Sequence, residues 1–384
     1  MRIEEFEYQD YQREWRLDPV QFSDLTLLVG ISGVGKTQIL EALYNLKRIA
    51  DGKSLNGIEW KVTFSTKDNR RYQWSGRFEK LDGLSTSTAG ECLEDDREVA
   101  EKPIILYENL TLGEQQVIAR TKDEIRLHGE NTPKLTSTSS AINLLAEEDA
   151  IKPVREAFRR IILSDQSNSL FWYRGRILIR KMDKLSERYD SLEKVRESAL
   201  DTMTKLALVY RNHPDQFKAI RERFLDIFPQ VTDIKIEPLD DLDAPTLIAD
   251  MPIIQIREQG VKNWIEQDKI SSGMMRTIQH IAELFLWPDG TVILIDEFEN
   301  SLGVNCIDII TEDLLHYHRR LQFILTSHHP YIINNIGPQY WKVVTRVGGH
   351  VQAHDAQGLG LGHSAHQAFI QLINSETYRE GIAV

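Results

Sequence analysis

One short segment restricts what this chain can fold into more than any other, the glycine-rich stretch Gly30-Ile-Ser-Gly-Val-Gly-Lys-Thr37. It follows the apolar run 25–29, which is typical of a buried strand, and it precedes residues 38–49, whose pattern predicts a helix. In such a turn, glycines let backbone N–H groups curl around a phosphate, and the start of the helix adds a partial positive charge. The segment therefore predicts a phosphate-binding loop in an α/β fold.

The last two residues of this segment carry the chemistry of nucleotide binding. A lysine after the final glycine can reach the β- and γ-phosphates, and the hydroxyl that follows can hold Mg²⁺. We assign these roles to Lys36 and Thr37. The candidate nucleotide-binding residues of this region are Gly30, Ser32, Gly33, Val34, Gly35, Lys36, Thr37 and Gln38.

Two adjacent carboxylates follow a second apolar run, much later in the chain. Residues 292–295 predict a central strand, and Asp296 and Glu297 come directly after it. Ligands of open α/β sheets bind beyond the carboxyl ends of the strands. Asp296 is therefore a candidate for holding Mg²⁺, and Glu297 for orienting or deprotonating an attacking water.

Two polar segments lie on either side of that strand in the sequence. Residues 269–276 contain a Ser-Ser-Gly turn that opens a predicted helix, which indicates either an anion-binding helix start or an ordinary capped helix. The buried run 323–325 also ends in polar residues, including a histidine that is either structural or a sensor of the γ-phosphate. The candidates in these two segments are Ser271, Ser272, Gly273 and His328.

Charge is distributed unevenly along the chain. The 384 residues are 41% hydrophobic and 27% charged, which is ordinary for a folded protein with a sizeable core. Residues 151–228, helical in pattern, contain 17 Lys and Arg against 11 Asp and Glu, a net charge of +6, so that the rest of the chain carries −18. This basic segment is interpreted either as a solvated helical lid or as a face for nucleic acid or an acidic partner.

Cysteine content and hydropathy narrow the class of protein further. With only Cys92 and Cys306, the chain is neither a disulfide-stapled scaffold nor a cysteine-rich zinc module. No segment approaches the roughly 18 consecutive apolar residues of a membrane span, and the charged N-terminus lacks the apolar region of a signal peptide. We expect a cytoplasmic protein without a membrane partner. Residues 86–101, acidic and rich in small side chains, predict a loop.

In combination, these motifs resemble the ABC-type ATPase superfamily. The likeness is closest to the branch with Rad50, SMC proteins, OLD-family ATPases and the AAA15/AAA21-like ATPases of bacterial defence systems, and it covers residues 1–50 and about 253–354. Some positions depart from the pattern: Ser32 stands where many relatives have Asn, His329 where Ser is frequent, and the usual D-loop Asp is absent. The matching segments are Gly30–Thr37 with Walker A, Ile270–Met274 with the signature motif, Val292–Glu297 with Walker B, Phe298–Leu302 with the D-loop and Thr326–Pro330 with the switch-histidine motif.

The resemblance implies an α/β fold with an ABC-ATPase-type P-loop core, a mixed β-sheet and a large, mainly helical inserted lid. The core would comprise 1–60 and 253–384, and the lid 61–252. The resemblance further implies ATP hydrolysis with Mg²⁺ by two copies that sandwich ATP head-to-tail, as a dimer or within a higher oligomer. The signature residues of one copy would complete the phosphate cage of the other. The implied catalytic residues are Glu297, His328 and Lys36, the implied metal-holding residues are Thr37 and Asp296, and the implied residues from the second copy are Ser271 and Gly273.

Two biological roles remain open from the sequence. One is a regulatory ATPase that senses or gates a separately encoded nuclease or toxin in anti-phage defence. The other is a Rad50/SMC-like ATPase that binds DNA through 151–228 in repair or maintenance; a transporter motor fits the long insertion poorly. Gln115 and Gln116 are candidates for the Gln-loop, and Tyr11 and Trp15 for the residue that stacks on adenine.

Overall fold

The computed structural model describes most of the chain. The described residues are 1–82, 102–164, 179–237, 252–300, 311–313, 320–356, 365–374 and 382–383. The loop predicted at 86–101, the end of the D-loop segment and both cysteines lie outside them. No helix in the described ranges is both long and apolar enough to cross a membrane.

The described secondary structure is mixed. The strands are β1 (Arg2–Asp10), β2 (Trp15–Gln21), β3 (Leu25–Val29), β4 (Ile58–Ser65), β5 (Arg71–Phe78), β6 (Ile105–Leu112), β7 (Gln115–Thr121), β8 (Ile125–Leu127), β9 (Glu130–Asn131), β10 (Ile161–Ser164), β11 (Val231–Glu237), β12 (Ile253–Glu258), β13 (Ile265–Glu266), β14 (Val292–Ile295), β15 (Gln322–Thr326), β16 (Trp341–Val347), β17 (His350–Asp355) and β18 (Ile382–Ala383). The helices are α1 (Lys36–Ala50), α2 (Ala141–Leu144), α3 (Lys152–Arg159), α4 (Ile179–Arg188), α5 (Leu192–Glu197), α6 (Thr202–Asn212), α7 (Pro214–Ile227), α8 (Ser272–Leu286), α9 (Pro330–Asn335) and α10 (Ala365–Asn374).

The chain forms two compact units. The first comprises Met1–Ser164, Asp289–Glu297 and Arg319–Val384, and the second comprises Asp165–Pro288 and Phe298–His318. These units divide the chain at other positions than the boundaries expected from the sequence, which assigned all of 61–252 to an inserted lid. Residues 61–164 belong to the first unit because β4–β10 extend its sheet, with β1 pairing to β4 and β10 pairing to β14.

The sheet of the first unit has a parallel arm and an antiparallel arm. Its strands follow the order β10-β14-β15-β3-β16-β17-β2-β1-β4-β5-β6-β7-β8-β9, with β18 beside β16. Strands β10, β14, β15, β3 and β16 are parallel neighbours. Residues in β3, β14 and β15 are buried throughout, as the apolar runs in the sequence predicted for strands of this kind. The predicted mixed α/β fold is confirmed.

The antiparallel arm is held by an aromatic core. Alternate residues of β4 and β5 point inward, and the ring centroids of Trp60 and Trp74 lie 5.1 Å apart. Phe158 of α3 packs against Trp74 at 4.7 Å and against Phe64 at 4.9 Å, which attaches this helix to the arm.

The second unit combines helices α4–α8 with the small antiparallel sheet β11-β12-β13. The helical pattern of 151–228 is confirmed over 179–227. It fails at β10, where Ile161 and Ile162 follow the helix that ends at Arg159 and join the parallel arm as a strand. β-Branched residues favour an extended backbone, and here a place beside β14 is available to them.

Candidate functional site

The phosphate-binding loop has the geometry that its glycines predicted. Gly35 adopts φ +103°, a left-handed conformation that L side chains rarely adopt, and α1 begins immediately after it at Lys36. At Gly30, an added Cβ would lie 2.7 Å from the carbonyl oxygen of Val344, so a side chain does not fit. The loop between β3 and α1 therefore packs closely against β16, a strand of the same sheet.

The ammonium group of Lys36 lies inside this loop. The residue is 5% exposed, and its Nζ donates to the carbonyl oxygens of Gly30 at 2.8 Å and Ile31 at 3.0 Å. Both acceptors are backbone carbonyl groups of the phosphate-binding loop itself. A phosphate entering the loop would meet a cation already in place, because the stem of Lys36 is buried and its direction is fixed.

The carboxyl ends of three parallel strands bring the acidic candidates to this loop. Strand β15 pairs with β14 on one side and with β3 on the other. Asp296, directly after β14, accepts hydrogen bonds from the Thr37 hydroxyl, with Thr37 Oγ1 3.1 Å from Oδ1 and 2.9 Å from Oδ2. The hydroxyl of Thr326, the last residue of β15, also donates to Asp296 Oδ1 at 2.6 Å. At this edge of the sheet, one carboxylate therefore accepts hydrogen bonds from two hydroxyl groups.

Glu297 stands in an unusual backbone conformation beside Asp296. Its φ is +45°, which is rare for a residue with a side chain. Its backbone N–H donates to Thr326 Oγ1 at 2.8 Å, and its side chain is exposed. The residue assigned to act on water therefore reaches solvent from a fixed backbone.

The switch-histidine segment follows β15 at the same edge. His328 is exposed, two residues beyond the end of the strand. Ser327, 1% exposed, accepts a hydrogen bond from the backbone N–H of His329 at 3.0 Å. The chain thus turns sharply after the strand, and α9 begins at Pro330.

The remaining residues of the loop divide by exposure. The side chain of Val34 is fully buried and packs in the core, whereas Ser32, Gly33 and Thr37 are exposed. Gln38, in the first turn of α1, is partly buried; an added Cβ on Gly35 would lie 3.1 Å from its Oε1. Sequence reasoning did not single out Thr326, whose hydroxyl contacts Asp296 at this edge. The sequence feature that indicates this residue is a hydroxyl at the end of a buried strand, β15, which neighbours the strand before Asp296.

The two residues suggested for stacking on adenine lie in other surroundings. Trp15 is 4% exposed and meets Tyr8 edge-on at 5.8 Å, so its ring faces are covered by protein. Tyr11 is covered by the guanidinium of Arg77 at 4.2 Å, and its hydroxyl donates to Glu59 at 2.5 Å. The ring of Trp15 is thus buried in the core, and one face of the Tyr11 ring is covered by Arg77. The suggested Gln-loop residues, Gln115 and Gln116, are exposed on β7 in the antiparallel arm.

The signature candidates begin α8 in the second unit. Ser271 is the N-cap: its hydroxyl accepts from the backbone N–H of Met274 at 3.2 Å, and Ser271 and Ser272 are both exposed. Gly273 follows in the first turn of this 15-residue helix. The predicted helix start is present, and its serine N-cap and first residue are exposed.

A buried polar pair stabilises the same helix. His280 Nδ1 lies 3.2 Å from Glu283 Oε2, and the His280 ring packs on Phe298, with centroids 5.6 Å apart. Burial lowers the pKa of His280 below its ordinary value of 6.5. For Glu283, burial acts to raise the pKa, but the hydrogen bond to His280 and the charges of His280 and Arg276 outweigh it and leave the pKa lowered.

The oxygen atoms at the sheet edge fit a magnesium ion. Mg²⁺ prefers oxygen ligands, keeps several waters, and is usually held by one or two carboxylates together with substrate phosphates. Thr37 Oγ1 and the Asp296 carboxylate supply that donor set. Among the described residues there is no group of three or more His, Cys, Asp or Glu side chains that could hold a metal alone. Bound phosphates and waters would supply further ligands to a magnesium ion here.

Solved structures of SMC heads are similar to this one. The SMC head bound to the C-winged helix domain of ScpA matches with 15% identity over 92% of this chain and 97% of that chain, at a TM-score of 0.46. The structure is also similar to the Smc head with an extended coiled coil bound to the C-terminal domain of ScpA from Pyrococcus furiosus (14%, 92% and 95%, TM-score 0.47) and to the SMC head domain from Thermotoga maritima (13%, 92% and 99%, TM-score 0.42).

Among curated proteins there is no match. A family model described as "AAA domain, putative AbiEii toxin, Type IV TA system" matches residues 25–334, which include the phosphate-binding loop, both carboxylates and the switch segment. This match spans well over half of the chain, and the protein therefore belongs to that AAA domain family, as its motifs predicted.

Proposed function

We propose that this AAA-family protein binds ATP with Mg²⁺ and hydrolyses it to ADP and phosphate. The observation that carries the proposal is the contact between Thr37 and Asp296, at 2.9 Å, next to a buried lysine in a glycine-lined loop. Residues far apart in the sequence converge on one point where a nucleotide-bound metal would sit. A role in packing alone would not require a hydroxyl, a carboxylate and a lysine ammonium group at one point.

Each residue then has a role in hydrolysis. Lys36 would contact the β- and γ-phosphates, and Thr37 and Asp296 would hold Mg²⁺, which when bound would neutralise charge that develops on the phosphate oxygens. Glu297 orients the attacking water and accepts its proton. His328, at the same edge, donates to the γ-phosphate.

We further propose that two copies act head-to-tail. Ser271 and Ser272 are exposed at the start of a long helix, where N–H groups and the helix dipole favour an anion. One chain carries one phosphate-binding loop and one such helix start. Two copies related by a two-fold axis would pair each loop with the helix start of the other, so ATP would be part of the interface.

The experiment that tests hydrolysis compares three purified variants with the wild-type chain. Glu297→Gln should still bind ATP but turn over roughly 10²- to 10⁴-fold more slowly, because it removes a proton acceptor without touching the phosphates. Lys36→Ala should lose ATP binding. The matched control is Glu130→Gln, because Glu130 is an exposed carboxylate on β9. Wild-type phosphate release by Glu297→Gln would remove Glu297 from its role, and a wild-type chain that binds no ATP would end the proposal.

For the biological role, we propose regulation of a toxic or nucleolytic effector. The family description names a putative toxin of a toxin–antitoxin system, and this chain has a second compact unit besides the one that carries the loop. ATP-driven association of two copies would then control the activity of a separately encoded partner. Co-expression with each neighbouring gene tests this: growth arrest that depends on the partner and changes with Glu297→Gln supports it, and growth indifferent to that substitution contradicts it.

The alternative function, DNA binding through 151–228, receives less support from the structure. This segment is divided between the two compact units, with 151–164 in the first and 165–228 in the second. Several of its basic side chains also pair with carboxylates. These pairs are Arg159–Asp51, Lys194–Asp190, Arg211–Asp183, Arg221–Asp233 and Arg223–Asp313. DNA binding that weakens steeply with salt would favour this function, and absence of binding at low salt would exclude it.

A further inference from the structure

The hydroxyl of Thr326 connects the two acidic residues of the site. It donates to Asp296 Oδ1 at 2.6 Å and accepts from the backbone N–H of Glu297 at 2.8 Å. The directions are unambiguous, because an amide N–H only donates and a hydroxyl has a single proton. That proton therefore belongs to the bond with Asp296. Thr326 is 1% exposed, so water does not compete for either bond.

We propose that Thr326 is a positioning residue that sets the geometry of both carboxylates, Asp296 for the metal and Glu297 for the attacking water. The inference rests on the proposed ATPase function and adds a residue to it. Thr326 would touch neither nucleotide nor metal; it acts through its neighbours.

The first consequence concerns the direction of the Asp296 carboxylate. Oδ1 is held by Thr326 at 2.6 Å, and Oδ2 is the oxygen nearer to Thr37, at 2.9 Å. A hydroxyl on one oxygen fixes the rotation of the group and directs the other oxygen toward the loop. This is the arrangement by which hydrogen-bonded neighbours orient the ligands of a metal.

The second consequence concerns the backbone of Glu297. A φ of +45° is unfavourable for a residue with a Cβ, and it persists only when surrounding contacts hold it. The bond from Glu297 N–H to Thr326 supplies one such contact. Without it, the backbone is free to relax, and the side chain that should meet the water would change direction.

The neighbouring hydroxyl cannot replace Thr326. Ser327 Oγ already accepts from the backbone N–H of His329 at 3.0 Å and so serves the turn that follows the strand. The parallel pairing of β14 with β15 places Ile295 beside Leu325, and Asp296 and Thr326 are the next residues on each strand. A threonine here keeps the β-branched shape that suits a buried strand end and adds the hydroxyl that valine lacks.

The test compares two substitutions at this position with a matched control. Thr326→Val keeps the shape and removes the hydroxyl, and Thr326→Ser keeps the hydroxyl. Thr26→Val removes another buried threonine hydroxyl, on β3, whose oxygen accepts from Ser23 N–H at 3.1 Å. The measurements are ATP binding without metal, Mg²⁺ affinity in the presence of a non-hydrolysable ATP analogue, the rate of phosphate release, and a crystal structure of Thr326→Val.

We expect Thr326→Val to bind ATP without metal like wild type but to lose about 10- to 100-fold in Mg²⁺ affinity and in hydrolysis rate, the range found when a group that orients a metal ligand is removed. Thr326→Ser should stay close to wild type, and Thr26→Val should change neither quantity. In the crystal, the Asp296 carboxylate of Thr326→Val should be rotated or the φ of Glu297 changed.

Two outcomes would overturn the inference: a Thr326→Val protein with wild-type Mg²⁺ affinity and hydrolysis, or its crystal structure with Asp296 and Glu297 unmoved. Either leaves the proposed ATPase function intact if the wild type hydrolyses ATP. A wild type that binds no ATP refutes the proposed function instead, whereas the crystal structure still reports on the hydrogen bonds of Thr326.

Discussion

The hydroxyl of Thr37 lies 2.9 Å from the carboxylate of Asp296, although 259 residues separate them in the sequence. Thr37 follows β3 after the phosphate-binding loop, and Asp296 follows β14 directly. Both strands belong to the parallel arm of the sheet. Because Asp296 carries the negative charge of this contact, one substitution can test the proposed binding of Mg²⁺.

Asp296→Asn removes that charge and keeps the shape of the side chain. We expect Mg²⁺ affinity in the presence of an ATP analogue to fall by roughly 10- to 100-fold, since an amide attracts a divalent cation far less than a carboxylate does. The control is Asp24→Asn. Asp24 is an exposed carboxylate just before β3, at the end of the strand opposite the loop, and its substitution should not change the Mg²⁺ affinity. A magnesium titration of a fluorescent ATP analogue measures both; unchanged affinity in Asp296→Asn would show that the metal binds elsewhere.

Mixing two inactive variants tests the head-to-tail arrangement. Lys36→Ala damages the phosphate-binding loop, and Ser271→Arg blocks the helix start with a large side chain. If each ATP lies between the loop of one copy and the helix start of the other, an equal mixture should recover about a quarter of the wild-type activity, because half of the randomly formed dimers carry one intact composite site. A mixture that stays as inactive as its components would contradict shared sites.

Gly35→Ala tests whether the loop needs its left-handed residue. The substitution places a Cβ 3.1 Å from Gln38 Oε1 at φ +103°, so we expect lost ATP binding and a destabilisation of about 1–3 kcal/mol. Gly113→Ala also requires a positive φ but meets no atom within 4 Å, and it should cost only about 1–2 kcal/mol with no change in binding. Denaturant unfolding and isothermal titration calorimetry separate the two effects. Normal ATP binding by Gly35→Ala would contradict the geometry of the loop.

A buried carboxylate in the antiparallel arm provides a stability prediction. Glu108 is fully buried, accepts from Trp74 Nε1 at 3.0 Å and from the backbone N–H of Ala141 at 2.7 Å, and lies 3.6 Å from Arg120. Glu108→Gln leaves the Arg120 charge buried without its partner, so the free energy of unfolding should fall by about 3–5 kcal/mol.

The control for this change is Glu124→Gln, because Glu124 forms an exposed pair with Arg126 at 2.8 Å. Removal of this pair should change stability by less than about 1 kcal/mol. Urea unfolding followed by tryptophan fluorescence measures both variants. Equal effects in the two variants would mean that burial does not strengthen the Glu108 pair.

The second unit should become less stable as the solution becomes acidic. Burial lowers the pKa of His280, so below its ordinary value of 6.5 the unfolded chain binds a proton that the folded chain does not. Stability from this group is therefore complete above that pH and is lost progressively as pH falls toward the lowered folded pKa. Glu283, whose folded pKa is also lowered, loses its contribution at still lower pH.

His280→Gln removes the titration and should flatten the dependence of stability on pH just below 6.5, at the cost of a lower stability at neutral pH. Thermal unfolding at a series of pH values measures the slope. If the wild type and His280→Gln show parallel slopes in that range, His280 is not responsible for the acid sensitivity.

The sequence predicted the local parts of the site because local rules govern them. The run from Leu25 to Thr37 specifies a strand, a turn and a helix through apolar residues and glycines within a few positions of one another. Asp296 and Glu297 follow a short buried strand by the same logic, and the strand order then brings Asp296 to Thr37. Local patterns alone identify these residues, and they are the ones that lie at the sheet edge.

Other features depended on contacts that no local pattern encodes. Trp15 has a suitable side chain for stacking on a base, yet Tyr8 and the core cover it. Residues 161–164 follow a helical pattern but pair with β14 as a strand. In both cases a partner distant in sequence decided the outcome.

The sequence by itself determined that a phosphate-binding loop, an acidic strand end and a serine-capped helix exist, because turn chemistry and hydrophobic periodicity act over a few residues. Only the tertiary structure decided that residues 61–164 extend the sheet of the first unit and that Thr326 joins Asp296 to Glu297. Strand order and the hydrogen bonds of a strand end depend on which strands become neighbours, and that choice is made by burial over the whole fold.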